Sequence, residues 1–173
     1  RGFYSGVGSR RTPDDVCKKF KYIGKFLAKN DFILRSGHAP QADISFEDGC
    51  DEVKGEKEIY LPWPKFQGSD SKLYNITPQA TMIAMKYCKH LIYIKQSSQK
   101  LLTRDVYQVL GYDLKTLSNF VVCWTPNGEI TGGTSMVIKI AIDYNIPLFN
   151  FGKEGDEEKF VLFLKEKYNL NIV

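Results

Sequence analysis

A predicted strand, a glycine turn and a predicted helix follow one another in residues 3–16, FYSGVGSRRTPDDV. Residues 3–7 are apolar and aromatic, which is typical of a buried strand that ends at Gly8. Thr12 can cap the next helix, with Pro13 at its first position and two acidic residues beside the positive end of its dipole. This strand–turn–helix unit is the building block of an α/β fold.

The same unit recurs along the chain. Further strands are predicted over residues 32–35, 58–63, 120–124 and 146–151, with a small last strand over 170–173. Further helices are predicted over residues 42–50, from 77 to 87, as a short segment over 103–110, and over 134–145 and 157–168. Strands that alternate with helices indicate a mostly parallel sheet with helices on both faces. We therefore predict an α/β, Rossmann-like three-layer sandwich, formed as a single domain over residues 1–173 with an irregular insertion at about 64–118.

The composition excludes several classes of protein. Of the 173 residues, 43% are hydrophobic and 25% are charged, close to the averages of soluble globular domains, which argues against disorder and a coiled coil. No apolar run is long enough to cross a membrane, and the first residues lack the apolar stretch of a signal peptide. We therefore expect a cytoplasmic protein with no membrane partner.

Charge and cysteine spacing narrow the choice of ligand. The net charge of +4 allows an anionic ligand but is too small to argue for duplex DNA binding. The four cysteines are widely spaced, without a CxxC pair, which argues against a zinc site. We expect neither a metal nor a resident cofactor.

Three predicted turns place small residues after strands, at residues 5–9, 35–39 and 131–135. Ligands of open parallel sheets bind beyond the carboxyl ends of the strands. Glycine there lets backbone N–H groups approach an anion, and each following helix start offers unsatisfied donors. A Walker A lysine pattern and a complete GxGxxG fingerprint are both absent, which disfavours a conventional ATPase or dehydrogenase. The turns predict a phosphate- or nucleotide-like ligand.

These turns also carry a family resemblance. The sequence resembles the SLOG superfamily of Rossmann-like nucleotide-binding proteins, which includes the DNA processing protein A (DprA) domain and the LOG phosphoribohydrolases. It is similar in particular to the YspA/YpsA-related branch, common in phages and bacteria. The matching segments are residues 5–10, residues 35–43 with Phe46 and Glu47, residues 104–111, and residues 124–126 with 132–134. The resemblance implies a nucleotide-binding fold and allows a phage-encoded protein in the host cytoplasm.

The candidate ligand-binding residues lie in these turns or at strand and helix ends. They are Gly6, Gly8, Ser9, Arg10, Arg35, Ser36, Gly37, His38, Asp43, Trp63, Arg104, Thr125, Gly132, Gly133, Thr134 and Ser135. An arginine fork suits phosphate, and a tryptophan after a strand can stack on a base. The alternatives are a surface ion pair for Arg10 and Arg35 and an exposed loop position for His38. Trp63, between two prolines, is expected to line a pocket, whereas core packing is expected for Trp124.

Asp43 and Glu47 are the candidate catalytic residues. They lie four residues apart and can share one helix face, where they could hold ribose hydroxyls or act on a glycosidic bond. A helix salt bridge is the alternative. Arg104 and Gln108 are also one turn apart, and they either reach the site or anchor their helix to the sheet.

Three functions follow from these residues. The leading prediction is a protein that binds a nucleotide or nucleotide-derived molecule, in order to sense, sequester or process it. The first alternative is an enzyme that hydrolyses or transfers the N-glycosidic bond of nucleoside monophosphates. The second is DprA-like binding of single-stranded DNA, for which the densest basic cluster lies at residues 18–29 but is explained equally well by a solvated helix face. A homo-oligomer is a further expectation.

Overall fold

The computed structural model describes all 173 residues. Five parallel strands form one sheet in the order β3-β2-β1-β4-β5. They are β1 (Gly2–Gly6), β2 (Phe32–Ser36), β3 (Lys57–Ile59), β4 (Phe120–Cys123) and β5 (Leu148–Asn150). The chain builds outward from β1 to β3 and then returns to the other side of β1, so β1 and β4 flank the switch point of the sheet.

Six α-helices cover the two faces of the sheet. They are α1 (Asp14–Lys29), α2 (Ala42–Glu52), α3 (Pro78–Tyr87), α4 (Gln96–Leu110), α5 (Ser135–Asp143) and α6 (Asp156–Tyr168). Residues of α1, α2 and α6 share one buried core with the sheet, and residues of α3, α4 and α5 share the other. The predicted α/β fold with helices on both faces is confirmed.

Strand β4 shows how the sequence forms both layers. Phe120 and Val122 belong to the core under α1, α2 and α6, whereas Val121 and Cys123 belong to the opposite core. Alternate side chains of a strand point to opposite faces, so four consecutive apolar residues bury a strand on both sides. The predicted insertion contains α3 and α4, which form the second helical layer together with α5.

Four local predictions are wrong. Thr12 does not cap α1, because its Oγ1 donates to the backbone oxygen of Ser9 at 2.6 Å and Pro13 occupies the cap position. Strand β3 ends at Ile59, and Tyr60, whose backbone N–H donates to the oxygen of Ser36 at 2.9 Å, forms an isolated bridge with Leu73.

The two other errors concern α4 and the C-terminus. Helix α4 begins at Gln96 rather than at residue 103, because its polar first turns are exposed helix surface and not a loop. Residues 170–173 form no strand, since Asn169 ends α6 in the left-handed conformation and the backbone N–H of Leu170 donates to the oxygen of Leu164.

None of the helices combines the length and hydrophobicity that a membrane crossing needs.

Candidate functional site

A cavity of about 420 Å³ opens at the carboxyl ends of β1 and β2, next to the switch point between β1 and β4. Its walls come from the turn after β1, the start of α2, one side of α4 and the start of α5. The lining residues are Val7, Gly8, Ser9, Arg10, Arg11, Ala39, Asp43, Leu101, Leu102, Arg104, Asp105, Gln108, Gly133, Thr134 and Val137.

The turn after β1 forms the mouth of the cavity. Gly8 lets this turn approach α2 and β4, since a Cβ atom there would lie 2.6 Å from the Cβ of Ala42. The backbone N–H of Ser9 donates to the oxygen of Trp124 at 3.0 Å and holds the turn against the end of β4. The side chains of Arg10 and Arg11 are exposed and make neither a hydrogen bond nor an ion pair with the protein. Two unpaired cations therefore stand at the entrance.

Asp43 joins two of the turns at the cavity wall. Its Oδ1 accepts a hydrogen bond from the backbone N–H of Gly8 at 3.2 Å, and its Oδ2 accepts one from Ala39 at 3.3 Å. Burial raises the pKa of this carboxyl to about 6, against the opposing effects of the Arg104 charge and the backbone donors. Asp43 faces the cavity, but both of its oxygens already have backbone partners.

One face of α4 forms the floor of the cavity. Leu101, Arg104, Asp105 and Gln108 follow the spacing i, i+3, i+4, i+7, which places them on the same side of a helix. Nε of Arg104 donates to Oδ1 of Asp105 at 2.9 Å, and its Nη1 donates to the backbone oxygens of Gly37 and Tyr60 at 2.8 and 2.7 Å. The guanidinium is thereby held in one orientation.

Asp105 is an unusually weak acid for a carboxyl group. Burial raises its pKa to about 7, and the negative charge of Asp43 acts in the same direction, whereas Arg104 opposes both. Near neutral pH this carboxyl exists in both protonation states, so it can accept or donate a hydrogen bond.

Several polar groups of the floor have no partner in the protein. Gln108 is only 2% exposed, and neither atom of its side-chain amide makes a hydrogen bond. Nη2 of Arg104 and Oδ2 of Asp105 are also unbonded. The only fully enclosed side-chain polar atoms without a partner are the hydroxyls of Tyr4 and Tyr168, so the floor groups remain accessible from the cavity. Buried polar groups without partners are costly, and a ligand or water is the usual partner.

The start of α5 closes the opposite side. Thr134 is buried, and its hydroxyl makes no hydrogen bond with the protein. A Cβ atom at Gly132 or Gly133 would meet no atom within 4 Å, so this turn borders open space. Ser135 points outward and donates its hydroxyl to the oxygen of Gly132 at 2.7 Å. The first N–H groups of the helix lie next to the cavity, where they favour an anion.

The structure brings seven of the predicted site residues to this cavity and places the others elsewhere. The seven are Gly8, Ser9, Arg10, Asp43, Arg104, Gly133 and Thr134. Those outside its lining are Gly6, Arg35, Ser36, Gly37, His38, Glu47, Trp63, Thr125, Gly132 and Ser135.

Arg35 does not reach the cavity. Its guanidinium is buried, pairs with Glu58 at 2.9 Å, donates to the oxygen of Thr116 at 2.6 Å and lies over the ring of Phe3. These contacts tie β2 to β3 and to the loop before β4, so Arg35 forms a buried ion pair and not the surface ion pair given as the alternative.

Glu47 and His38 belong to a second cavity of about 570 Å³. Oε1 of Glu47 lies 2.7 Å from Nδ1 of His38, and Oε2 accepts a hydrogen bond from Nζ of Lys57 at 2.8 Å. Asp43 and Glu47 are one helical turn apart but open into different cavities. The two candidate catalytic carboxylates therefore do not face one common ligand position.

Other candidates support the fold around the site. Ser36 donates its hydroxyl to the oxygen of Gly6 at 2.6 Å, and Thr125 is fully buried after β4. Trp63 packs edge-on against the ring of Phe66 at the border of the core and lies outside the lining of the cavity.

The sequence prediction did not include Asp105 as a site residue, and for Gln108 it left open whether the side chain reaches the site or anchors its helix. The signal was present, since residues 101, 104, 105 and 108 have helical spacing and three of them are polar. A helix starting at residue 103 leaves Leu101 outside the pattern, and the shared face is then hidden. Arg11 is not among the candidate ligand-binding residues but lies at the mouth.

The fold and the cavity define a Rossmann-like α/β protein with a polar, arginine-flanked cavity at the switch point of its sheet. No protein-family model matches the sequence, and no curated protein matches it. Solved structures do share the fold. The Moco carrier protein of Chlamydomonas reinhardtii is 18% identical, with a TM-score of 0.56 over 99% of this chain and 87% of that chain.

Two further structures agree with this result. A second structure of the molybdenum cofactor carrier protein from the same organism has a TM-score of 0.53, with 18% identity over 99% of this chain and 88% of that one. DNA processing protein A of Helicobacter pylori, described with a single-stranded DNA binding mode, has a TM-score of 0.54, with 18% identity over 96% of this chain and 72% of that one. These likenesses show the fold alone and are consistent with the predicted SLOG resemblance.

Proposed function

We propose that this protein binds a nucleotide or a nucleotide-derived molecule in the cavity at the switch point. The observation that supports this most directly is the largely buried floor, where Nη2 of Arg104, Oδ2 of Asp105 and the side-chain amide of Gln108 have no partner in the protein. A cavity of about 420 Å³ lies within the range that small-molecule sites occupy.

The charge distribution supports one orientation of the ligand. Arg10 and Arg11 stand unpaired at the mouth, and the start of α5 adds backbone donors beside Thr134. Asp43 and Asp105 make the interior unsuitable for a phosphate. A nucleotide would therefore keep its phosphates at the mouth and place its uncharged end inside.

Single-stranded DNA is less well supported as a ligand. In the basic cluster at residues 18–29, Lys19 pairs with Glu157 at 2.8 Å, and Lys21 and Lys25 pair with Glu52 at 3.2 and 3.6 Å. Acidic neighbours thus neutralise much of the cluster. The solved DNA processing protein A shares the fold, but this helix lacks the continuous basic surface that such binding needs.

Isothermal titration calorimetry with a panel of nucleoside mono- and diphosphates tests the proposal. We expect binding by the wild-type protein and at least tenfold weaker binding by the Arg10→Ala, Arg11→Ala double variant, since two charge-assisted contacts are lost. Lys29→Ala removes an exposed cation far from the cavity and should bind normally. If no nucleoside phosphate binds to the folded protein, the proposal is wrong.

The same samples address the enzymatic alternative. Because Glu47 opens into the second cavity, we expect nucleoside monophosphates to be recovered intact after incubation. Release of free base would instead support cleavage of the N-glycosidic bond. The molybdenum cofactor and a labelled oligonucleotide serve as competitors, because proteins of this fold are described with those ligands.

We further propose that the protein self-associates, lies in the cytoplasm, belongs to the YspA/YpsA-related branch and is phage-encoded. We also propose that residues 1–173 form a single domain.

A further inference from the structure

We propose that the floor of the cavity, formed by Arg104, Asp105 and Gln108, selects a heterocycle that presents an N–H and an amino donor beside a carbonyl acceptor. This is the edge of guanine, and pterins have the same one. The inference rests on the proposed function and identifies the class of ligand that the cavity takes.

The free hydrogen-bonding atoms of the floor carry the argument. Oδ2 of Asp105 is an unbonded acceptor, and Nη2 of Arg104 is an unbonded donor. The amide of Gln108 supplies one acceptor and two donor positions, none of them used within the protein. A donor pair on the ligand fits the carboxylate, one donor on Oδ2 and the other on the second lone pair of Oδ1, whose first lone pair accepts from Arg104. A carbonyl on the same edge of the ligand fits the guanidinium or the amide.

The floor is rigid enough to discriminate. Three hydrogen bonds hold the guanidinium of Arg104, one of them to Asp105 itself. Gly37 packs directly under this group, because a Cβ atom there would lie 2.3 Å from Nε2 of Gln108 and 2.7 Å from Cζ of Arg104. The side chains of Arg104 and Gln108 are therefore neighbours with little freedom to rearrange, as selective recognition requires.

The walls suit a flat ring. Leu101 and Leu102 from α4 and Val137 from α5 line the cavity together with Val7 and Ala39. Aliphatic side chains cover the faces of a heterocycle, while the polar floor takes its edge. The mouth, with Arg10 and Arg11, remains for the phosphate.

Adenine fits this floor less well. Its edge offers one amino donor and a ring-nitrogen acceptor, so an ionised Asp105 would face that acceptor with like polarity. A buried site that hydrogen-bonds a particular group discriminates strongly against ligands that lack it, because its own polar atoms are left unpaired. Hypoxanthine keeps the N–H and the carbonyl but lacks the amino group, and it isolates the contribution of that group.

Recognition by the carboxylate form implies a proton change. Burial raises the pKa of Asp105 to about 7, and the charged groups facing it are Arg104 on its own helix and Asp43 on α2, with Arg10 and Arg11 at the mouth. Donors on the ligand stabilise the ionised carboxyl, so binding at neutral pH should release a proton. Titrations in buffers of different ionisation enthalpy measure this release.

The test compares the affinities of guanosine, inosine and adenosine monophosphates for the wild-type protein, with a phosphorylated pterin as a fourth ligand. We expect guanosine monophosphate to bind about tenfold more tightly than inosine monophosphate and about a hundredfold more tightly than adenosine monophosphate. The reason is that the loss of one charge-assisted hydrogen bond weakens binding by about tenfold or more. If the pterin binds more tightly than guanosine monophosphate, this would support recognition of the same hydrogen-bonding edge, presented by a pterin instead of a guanine.

The second part of the binding test uses Asp105→Asn. This substitution keeps the shape of the side chain and an acceptor for Arg104 but removes the negative charge. We expect it to abolish the guanine preference and the proton release, while exposed Asp31→Asn, at a left-handed position that asparagine tolerates, retains both. Equal affinity for the three nucleotides, or a preference that survives Asp105→Asn, would overturn the inference while leaving the proposed function intact. Absence of binding by every ligand would overturn both.

Discussion

Buried charged residues serve two different purposes in this protein. Arg35 and Arg104 are both buried arginines that donate to backbone oxygens and pair with an acid. Arg35 lies between β2, β3 and the loop before β4, where it holds the fold together, whereas Arg104 leaves one amino group facing the cavity. The sequence predicted both as ligand contacts, because a residue type at a strand or helix end does not reveal which side chain the neighbouring loops enclose.

The raised pKa of Asp105 predicts a pH-dependent cost to stability. A carboxyl with a pKa of about 7 when folded and 3.8 when unfolded binds more protons in the folded state between those values, so stability falls as pH rises through that window. Above pH 7 the cost is fully present. Each pKa unit corresponds to about 1.4 kcal/mol. Compared with that of Asp105→Asn, the free energy of unfolding of the wild type should therefore fall by about 2 kcal/mol between pH 5 and pH 7. Urea unfolding at the two pH values measures the difference.

The prediction is wrong if the free energy of unfolding changes with pH by the same amount in the wild type and in Asp105→Asn. Asp43, whose pKa is also raised, interacts with Asp105, so the same comparison in an Asp43→Asn background separates the two carboxyls. Asp31→Asn controls for the loss of an exposed carboxylate and should leave the pH profile unchanged.

Gly37 predicts a packing defect at the base of the site. In Gly37→Ala the new methyl group would overlap the side chains of Gln108 and Arg104 and force both to move. We expect a loss of about 1–3 kcal/mol in the free energy of unfolding, as for other overpacked positions. Gly133→Ala, where the added Cβ meets no atom, should change it by about 0.5 kcal/mol or less. Equal costs for the two substitutions would show that the packing around Gly37 is loose.

At the scale of elements, strands in the middle of the sheet were more predictable than the edges. Strand β4 is apolar on both faces, and this pattern indicates a strand that is buried on both sides. Strand β3 lies at the edge and has three residues, and beyond Ile59 the chain pairs with Leu73, to whose oxygen the backbone N–H of Leu61 donates. Nothing in the local sequence records that distant contact.

The start of α4 is the error with the largest consequence for the site. Residues 96–100 are polar and contain neither glycine nor proline, so loop and exposed helix fit them equally well. The side chain of Gln99 donates to the oxygen of Ile94 at 2.8 Å and helps to fix the start. Of the floor residues, only Arg104 is among the candidate ligand contacts, because the rest of the face depends on where the helix begins.

A proline scan distinguishes the two descriptions of this segment. Lys100→Pro would remove a helical hydrogen bond and place the ring against the preceding turn of α4, at a cost of about 3 kcal/mol in the free energy of unfolding. Gln96→Pro occupies the first helical position, after Lys95 in an extended conformation, and should cost less than about 1 kcal/mol. If both variants are as stable as the wild type, the helix starts later than Gln96.

At the scale of the whole molecule, the net charge of +4 is a poor guide to the ligand. Much of the positive charge on α1 is paired with acids of α2 and α6, whereas Arg10 and Arg11 stand free at one cavity. The local placement of two unpaired cations matters more for an anionic ligand than the sum over the chain. Because this placement depends on contacts between helices distant in sequence, it could not be predicted from composition.

This charge distribution predicts how binding responds to salt. A nucleotide held by two arginines should lose affinity only modestly as salt rises, whereas single-stranded DNA binding loses affinity steeply, with a slope near 0.7 for each phosphate contact. We expect a labelled oligothymidylate to bind the wild type weakly at about 50 mM salt and not measurably at about 200 mM. Glu52→Gln frees Lys21 and Lys25 from their acidic partner and should strengthen oligonucleotide binding without affecting the nucleotide. Tight binding of the oligonucleotide by the wild type at the higher salt concentration, lost in the Arg10→Ala, Arg11→Ala variant, would instead show that the cavity mouth contacts a nucleic acid strand.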